Sequence, residues 1–157
     1  MKVRLLLPAA VLFVLVSSCS GSGSCSYLRT SDVLASGDGV FWFDAFLSDT
    51  ISYTTGVAMR YYDREMPSDR VEFDIYVVSP LGDKYIERVE LPLFEVGDGL
   101  VRQYPATMGG IREIEWIYRR HIRVDAPDAG LWRIGVEPVG EQLWTAIQGL
   151  GFFSKEE

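Results

Sequence analysis

The sequence predicts an all-β fold over residues 40–157: an antiparallel β-sandwich, Ig-like or jelly-roll-like, of seven or eight strands. Three observations predict it. Apolar residues recur with a period of two through most of this stretch, which marks strands with one buried face. Turn residues break that alternation roughly every ten residues, a spacing typical of sandwiches. No long segment carries the 3.6-residue apolar period of an amphipathic helix.

Ahead of the sandwich, Met1, Lys2, Val3 and Arg4 give a short positive start. An apolar run over 5–16, interrupted only by Pro8, follows, and Val16-Ser17-Ser18-Cys19 closes it. That order is a bacterial lipoprotein signal, because a run of about twelve residues suits a signal core and falls short of the roughly twenty needed to cross a bilayer. We expect residues 1–18 to be removed and Cys19 to become the first residue. Its thiol is the side chain nucleophilic enough there to take a diacylglyceryl group, and acylation of the new amino terminus would add a further chain. Two or three acyl chains hold a protein on a membrane where one does not. An ordinary secretory peptide is the alternative, and the small pair Ser17-Ser18 directly before Cys19 speaks for the lipoprotein. Cys25 is not the acceptor, since Ser22 stands where the lipid signal needs an apolar residue. With Cys19 consumed, no intramolecular disulfide can form.

Residues 19–39 read as the lipidated cysteine and a tether. Ser20-Gly21-Ser22-Gly23-Ser24-Cys25-Ser26 offers no side chain to pack a core, and the stretch stays polar to Gly39. Flexible chain of this length reaches about 25 Å.

Within 40–157 the strands follow in order. Phe41-Trp42-Phe43-Asp44-Ala45-Phe46-Leu47 is apolar on both faces, as expected of a central strand. Ile51, Tyr53, Val57, Met59 and Tyr61 alternate with smaller or polar residues, and Val71, Phe73, Ile75 and Val77 do the same. Ser79-Pro80-Leu81-Gly82-Asp83 has the composition of a turn, so 71–91 forms a hairpin. Residues 111–125 fit helix and strand templates about equally. Strand is preferred because β-branched and aromatic residues dominate the inward set Ile114, Trp116, Tyr118, Ile122 and Val124. Asp125-Ala126-Pro127-Asp128-Ala129-Gly130 then turns the chain into a strand carrying Trp132, Ile134 and Val136, and 147–154 forms the last.

The expected mature chain has 139 residues, enough for one domain with a sizeable core. Removing the signal takes Lys2 and Arg4 from the 15 basic residues, leaving 13 against 22 acids, a net charge of −9. An acidic surface argues against nucleic acid and against electrostatic attraction to anionic lipids, so membrane contact is expected through the anchor alone.

The chain resembles the GldH family of gliding motility lipoproteins. The resemblance rests on Asp49-Thr50-Ile51 leading to Val57-Ala58-Met59-Arg60, on residues 71–82 followed by Glu90-Leu91-Pro92-Leu93, on the run from Arg123 through Asp125-Ala126-Pro127-Asp128-Ala129-Gly130 to Ile134, and on Ile147-Gln148-Gly149-Leu150-Gly151 near the end. It departs from the family's pattern at Gly97-Asp98-Gly99-Leu100, which no tryptophan follows before Trp116, and at Glu141-Gln142-Leu143 where the family has a Met-Arg pair. These are turn and core residues and carry no chemistry. The resemblance implies an accessory envelope protein of the gliding machinery, linked to type IX secretion, that holds or assembles partner proteins. Ser20 after the acceptor cysteine, where an aspartate would favour retention at the inner membrane, leads to the outer membrane, with the periplasmic side expected and the cell surface as the alternative.

Candidate sites are few. His121 is the sole histidine; it stands among Arg119, Arg120 and Arg123 at an outward strand position and reads as a surface histidine rather than a general base. No cofactor, metal or catalytic residue is expected: the histidine and cysteine count cannot supply a usual transition-metal set, and Asp63-Arg64-Glu65 and Gly97-Asp98-Gly99 lack calcium-loop spacing. Glu113 and Glu115 share a strand face about 7 Å apart, a separation two cooperating carboxylates could use, although alternating charge on an exposed strand explains it with fewer assumptions. Arg119, His121 and Arg123 form a basic face on an acidic protein, a candidate site for an acidic partner loop unless neighbouring acids neutralise it. The expected function is protein-protein interaction without enzymatic activity. Its rivals are a glycan- or peptidoglycan-binding sandwich using Tyr62, Tyr76 or Trp144 as stacking platforms, and an envelope hydrolase.

Overall fold

Nine strands, paired antiparallel in two sheets, make up most of the computed structural model, which describes residues 23–95, 97–105 and 109–157. The signal over 1–18 and the lipid attachment at Cys19 lie outside the described residues. The strands are β1 (Gly23–Arg29), β2 (Phe41–Leu47), β3 (Tyr53–Tyr62), β4 (Arg70–Val78), β5 (Lys84–Pro92), β6 (Val101–Tyr104), β7 (Ile111–Ile122), β8 (Gly130–Pro138) and β9 (Ile147–Glu156). Two short helices join them, α1 (Thr30–Ser36) and α2 (Glu141–Ala146). One sheet has the order β1-β9-β3-β7-β6 and the other β2-β8-β4-β5, so the chain is an all-β sandwich, with more strands than the seven or eight expected.

The two inner faces supply the core. Phe41, Phe43, Phe73, Ile75 and Val136 from the four-stranded sheet meet Met59, Tyr61, Ile114, Trp116, Leu150 and Phe152 from the five-stranded one. Trp116 is 1% exposed, packs edge-on to Phe73 with ring centroids 6.0 Å apart, and donates Nε1–H to Pro92 O at 2.6 Å. That bond meets a need, since a buried indole N–H without an acceptor is costly. A second, smaller cluster of Leu47, Tyr53 and Val124 joins the sheets at the pole where β2 ends and β3 begins.

The expected tether is corrected by the structure over 23–39, its first residues 19–22 lying outside the described ones. Residues 23–29 form an edge strand along β9, from Gly23 opposite Lys155 to Arg29 opposite Gly149. A Cβ on Gly149 would stand 2.5 Å from Leu28 O and 2.8 Å from Tyr27 Cε1, so the bare backbone of β9 is what admits the Tyr27 ring. Leu28 packs on the core, Val33 of α1 is buried, and Thr30 Oγ1–H donates to Ile147 O at 2.6 Å. The folded domain therefore reaches back at least to Gly23, with three residues of sequence between that glycine and Cys19.

Other expectations are refined. Residues 111–122 form a strand, as preferred, and 71–91 lies within the β4-β5 hairpin. The segment 41–47 is an edge strand rather than a central one: it pairs with β8 alone, and its outward Asp44 and Phe46 are exposed. Its apolar second face arises because Trp42 lies over Gly135, where a Cβ would come within 2.8 Å of the indole. β6 and α2 have no counterpart in the sequence reading. Each is too short to show a period, and α2 is held by burial of Leu143 and Ala146 and by Trp144 stacked on Phe41 at 5.5 Å.

Candidate functional site

The basic segment lies at the end of β7, where the strand loses register with β3. Gly56 opposes Ile117, Thr55 opposes Arg119 and Tyr53 opposes Ile122, so β7 carries two extra residues over this span. His121 adopts φ 53°, a left-handed value that histidine tolerates better than most residues. The bulges break the alternation that would place Arg119, His121 and Arg123 on one continuous face.

Each of the first two is held by an acid. Arg119 Nη2 lies 2.6 Å from Glu87 Oε2, and Tyr118 OH donates to the same oxygen at 2.5 Å. Glu87 belongs to β5 in the opposite sheet, so this trio closes the side of the sandwich that four-residue β6 leaves open. The Tyr118 hydrogen bond, followed by the Arg119 charge, holds the Glu87 carboxyl below the usual range. Burial, reinforced by Glu87, pushes the Tyr118 hydroxyl up to about 12. His121 Nδ1–H donates to Glu157 Oε2 at 2.6 Å. Glu157, which also accepts from Thr54 and Ser52, is held below its ordinary value by Thr54 first and His121 second. Arg123 is exposed and forms no ion pair among the described residues. Of the predicted basic face, only Arg123 is left available to a partner.

The acid pair is likewise committed. Glu113 Oε2 accepts from Arg60 Nε at 2.7 Å, and Glu115 Oε2 accepts from Tyr104 OH at 3.0 Å. Arg60 also lies 4.8 Å above the Tyr27 ring, so Glu113, Arg60 and Tyr27 form a chain across the outer face of the five-stranded sheet. Asp63 pairs with Arg112 at 3.0 Å and Asp98 caps a turn by accepting from Leu100 N–H. Among the described residues no three His, Cys, Asp or Glu side chains converge on one point.

The sequence reading passed over the outer face of the four-stranded sheet. Register brings Trp42, Gly135, Tyr76 and Ile86 into one row across all four strands. Trp42 and Tyr76 approach over Gly135 with ring centroids 5.9 Å apart and planes tilted 50°, and Ile86 is 67% exposed at the free edge. Charges frame the row. Arg133 lies 4.6 Å over the Trp42 ring, Asp74 holds Arg88 through two bonds of 2.8 Å, and Tyr76 OH donates to Glu137 at 2.5 Å. The Glu137 bond is the main reason the Tyr76 hydroxyl is pushed up to about 12. The signal available in the sequence was Gly135 between apolar neighbours, which implies that a large ring lies over it.

The three proposed stacking rings do not assemble. Tyr76 sits on this outer face, Trp144 covers Phe41 on α2, and Tyr62 lines a shallow depression with Arg64 and Glu65 at the end of β3. Comparison of the chain with models of protein families, with curated proteins and with solved structures gives no match.

Proposed function

We propose that this chain is a lipid-anchored envelope protein of the outer membrane, periplasm-facing, that serves the gliding machinery by holding partner proteins and performs no reaction of its own. The observation that carries the reading is the order of the N-terminal sequence, a basic start, an apolar run and Ser17-Ser18-Cys19, with three residues between that cysteine and the first strand. The assignment to gliding rests on the resemblance to the GldH family.

The partner surface is the outer face of the four-stranded sheet, continued over the edge of β5. An edge strand offers unpaired backbone groups to an extended segment of another chain, and Trp42, Tyr76 and Ile86 offer apolar contact beside it. Large aromatic side chains are frequent anchors of such interfaces. A photoreactive side chain at Ile86 in the native envelope should crosslink to envelope proteins, whereas the same group at Arg64 should not. Recovery of uncrosslinked protein alone from both positions would contradict the reading.

Glycan binding is the second reading, favoured by the Trp42–Tyr76 pair with Asp44, Asp74 and Glu137 around it. The 50° tilt gives a sugar no common plane to stack on, so it ranks below protein docking.

A further inference from the structure

We infer that the pole of the sandwich at which β1 begins dips into the bilayer, so that the domain lies against the membrane rather than hanging from a flexible leash. The inference rests on the proposed anchor at Cys19. The four Cα–Cα steps from Cys19 to Gly23 span at most about 14 Å when fully extended, so the start of β1 is kept within that distance of an acylated Cys19.

The pairing fixes what shares this pole. Gly23 opposes Lys155, and Lys155 opposes Thr54, so β1 starts where β9 ends and β3 begins. β2 ends and β8 begins at the same pole, since the short loop 48–52 connects Leu47 to Tyr53 and Leu47 opposes Gly130. The turn between β4 and β5 is there too: the place of a Cβ on Gly130 is 3.4 Å from Pro80 Cβ and Cγ.

Exposed apolar side chains collect at this pole. Phe46 and Leu131 are direct cross-strand partners, 68% and 57% exposed, and Leu81 next to Pro80 is 65% exposed. β2 packs against β1 and β9 through its inward residues, so its end stands at the anchor's pole, and Phe46 projects there from the outer side of the four-stranded sheet. The Leu47, Tyr53 and Val124 cluster behind them makes the pole rigid, so the three side chains present a preformed tip. Asp49, Asp83, Asp125, Asp128 and Glu156 stand at this pole with Lys84, Arg123 and Lys155, so acids outnumber cations and attraction to anionic lipid is not the driving force. Apolar insertion beside the acyl chains is the contact that this composition supports, at the depth of the headgroup and acyl boundary. A tip already tethered at short range needs little intrinsic affinity, because the anchor raises its effective concentration at the bilayer.

The test uses the full lipidated protein, purified from membranes with Cys25→Ser to remove the competing thiol, and reconstituted in phosphatidylethanolamine–phosphatidylcholine vesicles. Nitroxide labels are placed at Phe46→Cys, Leu131→Cys or, as the reference, Leu34→Cys on α1 at the opposite pole. The expected result is several-fold greater collision with membrane-dissolved oxygen than with a water-soluble nickel chelate at 46 and 131, and the reverse at 34. Protein that floats with the vesicles but gives the same water accessibility at all three positions overturns this inference and leaves the anchor standing. Shielding of 46 and 131 from both reagents means that a second copy covers the tip, which also overturns it. Protein that does not float removes the anchor, and the inference with it.

Discussion

The ring of Tyr27 lies in the space that a side chain on Gly151 would occupy, with Cδ2 2.9 Å from the place of its Cβ. The same ring covers Gly149 and carries Arg60 on its other face. This pair seals the first strand onto the last, and it decides where the folded domain begins.

The first prediction concerns that seal. Gly149→Ala puts a methyl group 2.5 Å from Leu28 O, a backbone atom that cannot swing aside. The substitution should cost about 1–3 kcal/mol of stability, the usual range for overpacking. Hydrogen exchange should show β1 amides losing protection well before those of β3. Uniform loss across both strands would mean that β1 is not docked by this contact.

Glu87 gives the fold an acid-sensitive latch. Its folded-state carboxyl lies below its ordinary 4.5, so its stabilising contribution is complete above that pH and is lost as pH falls through the lowered value. Glu87→Gln should therefore flatten the decline in stability below about pH 4.5 while lowering stability at neutral pH. Thermal melts across pH 3–7 check this, and an unchanged acid slope would contradict it.

Tyr76 should titrate late. Its hydroxyl is raised from 10.0 to about 12, with Glu137 as the first cause, so the neutral phenol stabilises the fold up to pH 10 and that contribution is lost as pH rises toward 12. In a tyrosinate absorbance titration, Glu137→Gln should bring one late-titrating tyrosine back toward pH 10. No change in the late fraction would show that the bond does not control it.

Arg123 separates partner binding from structure. Arg119→Glu should destabilise the protein, because it sets two carboxylates together at Glu87, whereas Arg123→Glu should leave melting temperature unchanged. If the basic segment recruits an acidic partner, Arg123→Glu alone should reduce recovery of envelope proteins. Full recovery confines binding to the four-stranded sheet.

The sandwich was legible because β3, β4, β7 and β8 bury alternate apolar residues, and that period survives in sequence. β1 was not legible: Gly23, Ser24 and Ser26 read as linker, and the residues that make them a strand, Gly149 and Gly151, lie more than a hundred positions away. Arg119 and His121 looked available for the same reason, since Glu87 and Glu157 approach them only after the sheets pack and β7 bulges. The second apolar face of 41–47 suggests a central strand, whereas in this edge strand it reflects Trp42 lying on Gly135.

Mass spectrometry of the amino-terminal peptide from the envelope-extracted protein tests the central claim most directly. The account predicts a chain beginning at Cys19, lacking residues 1–18 and carrying diacylglyceryl and acyl groups on that residue. A mature chain that begins elsewhere, or an unmodified Cys19, would contradict it.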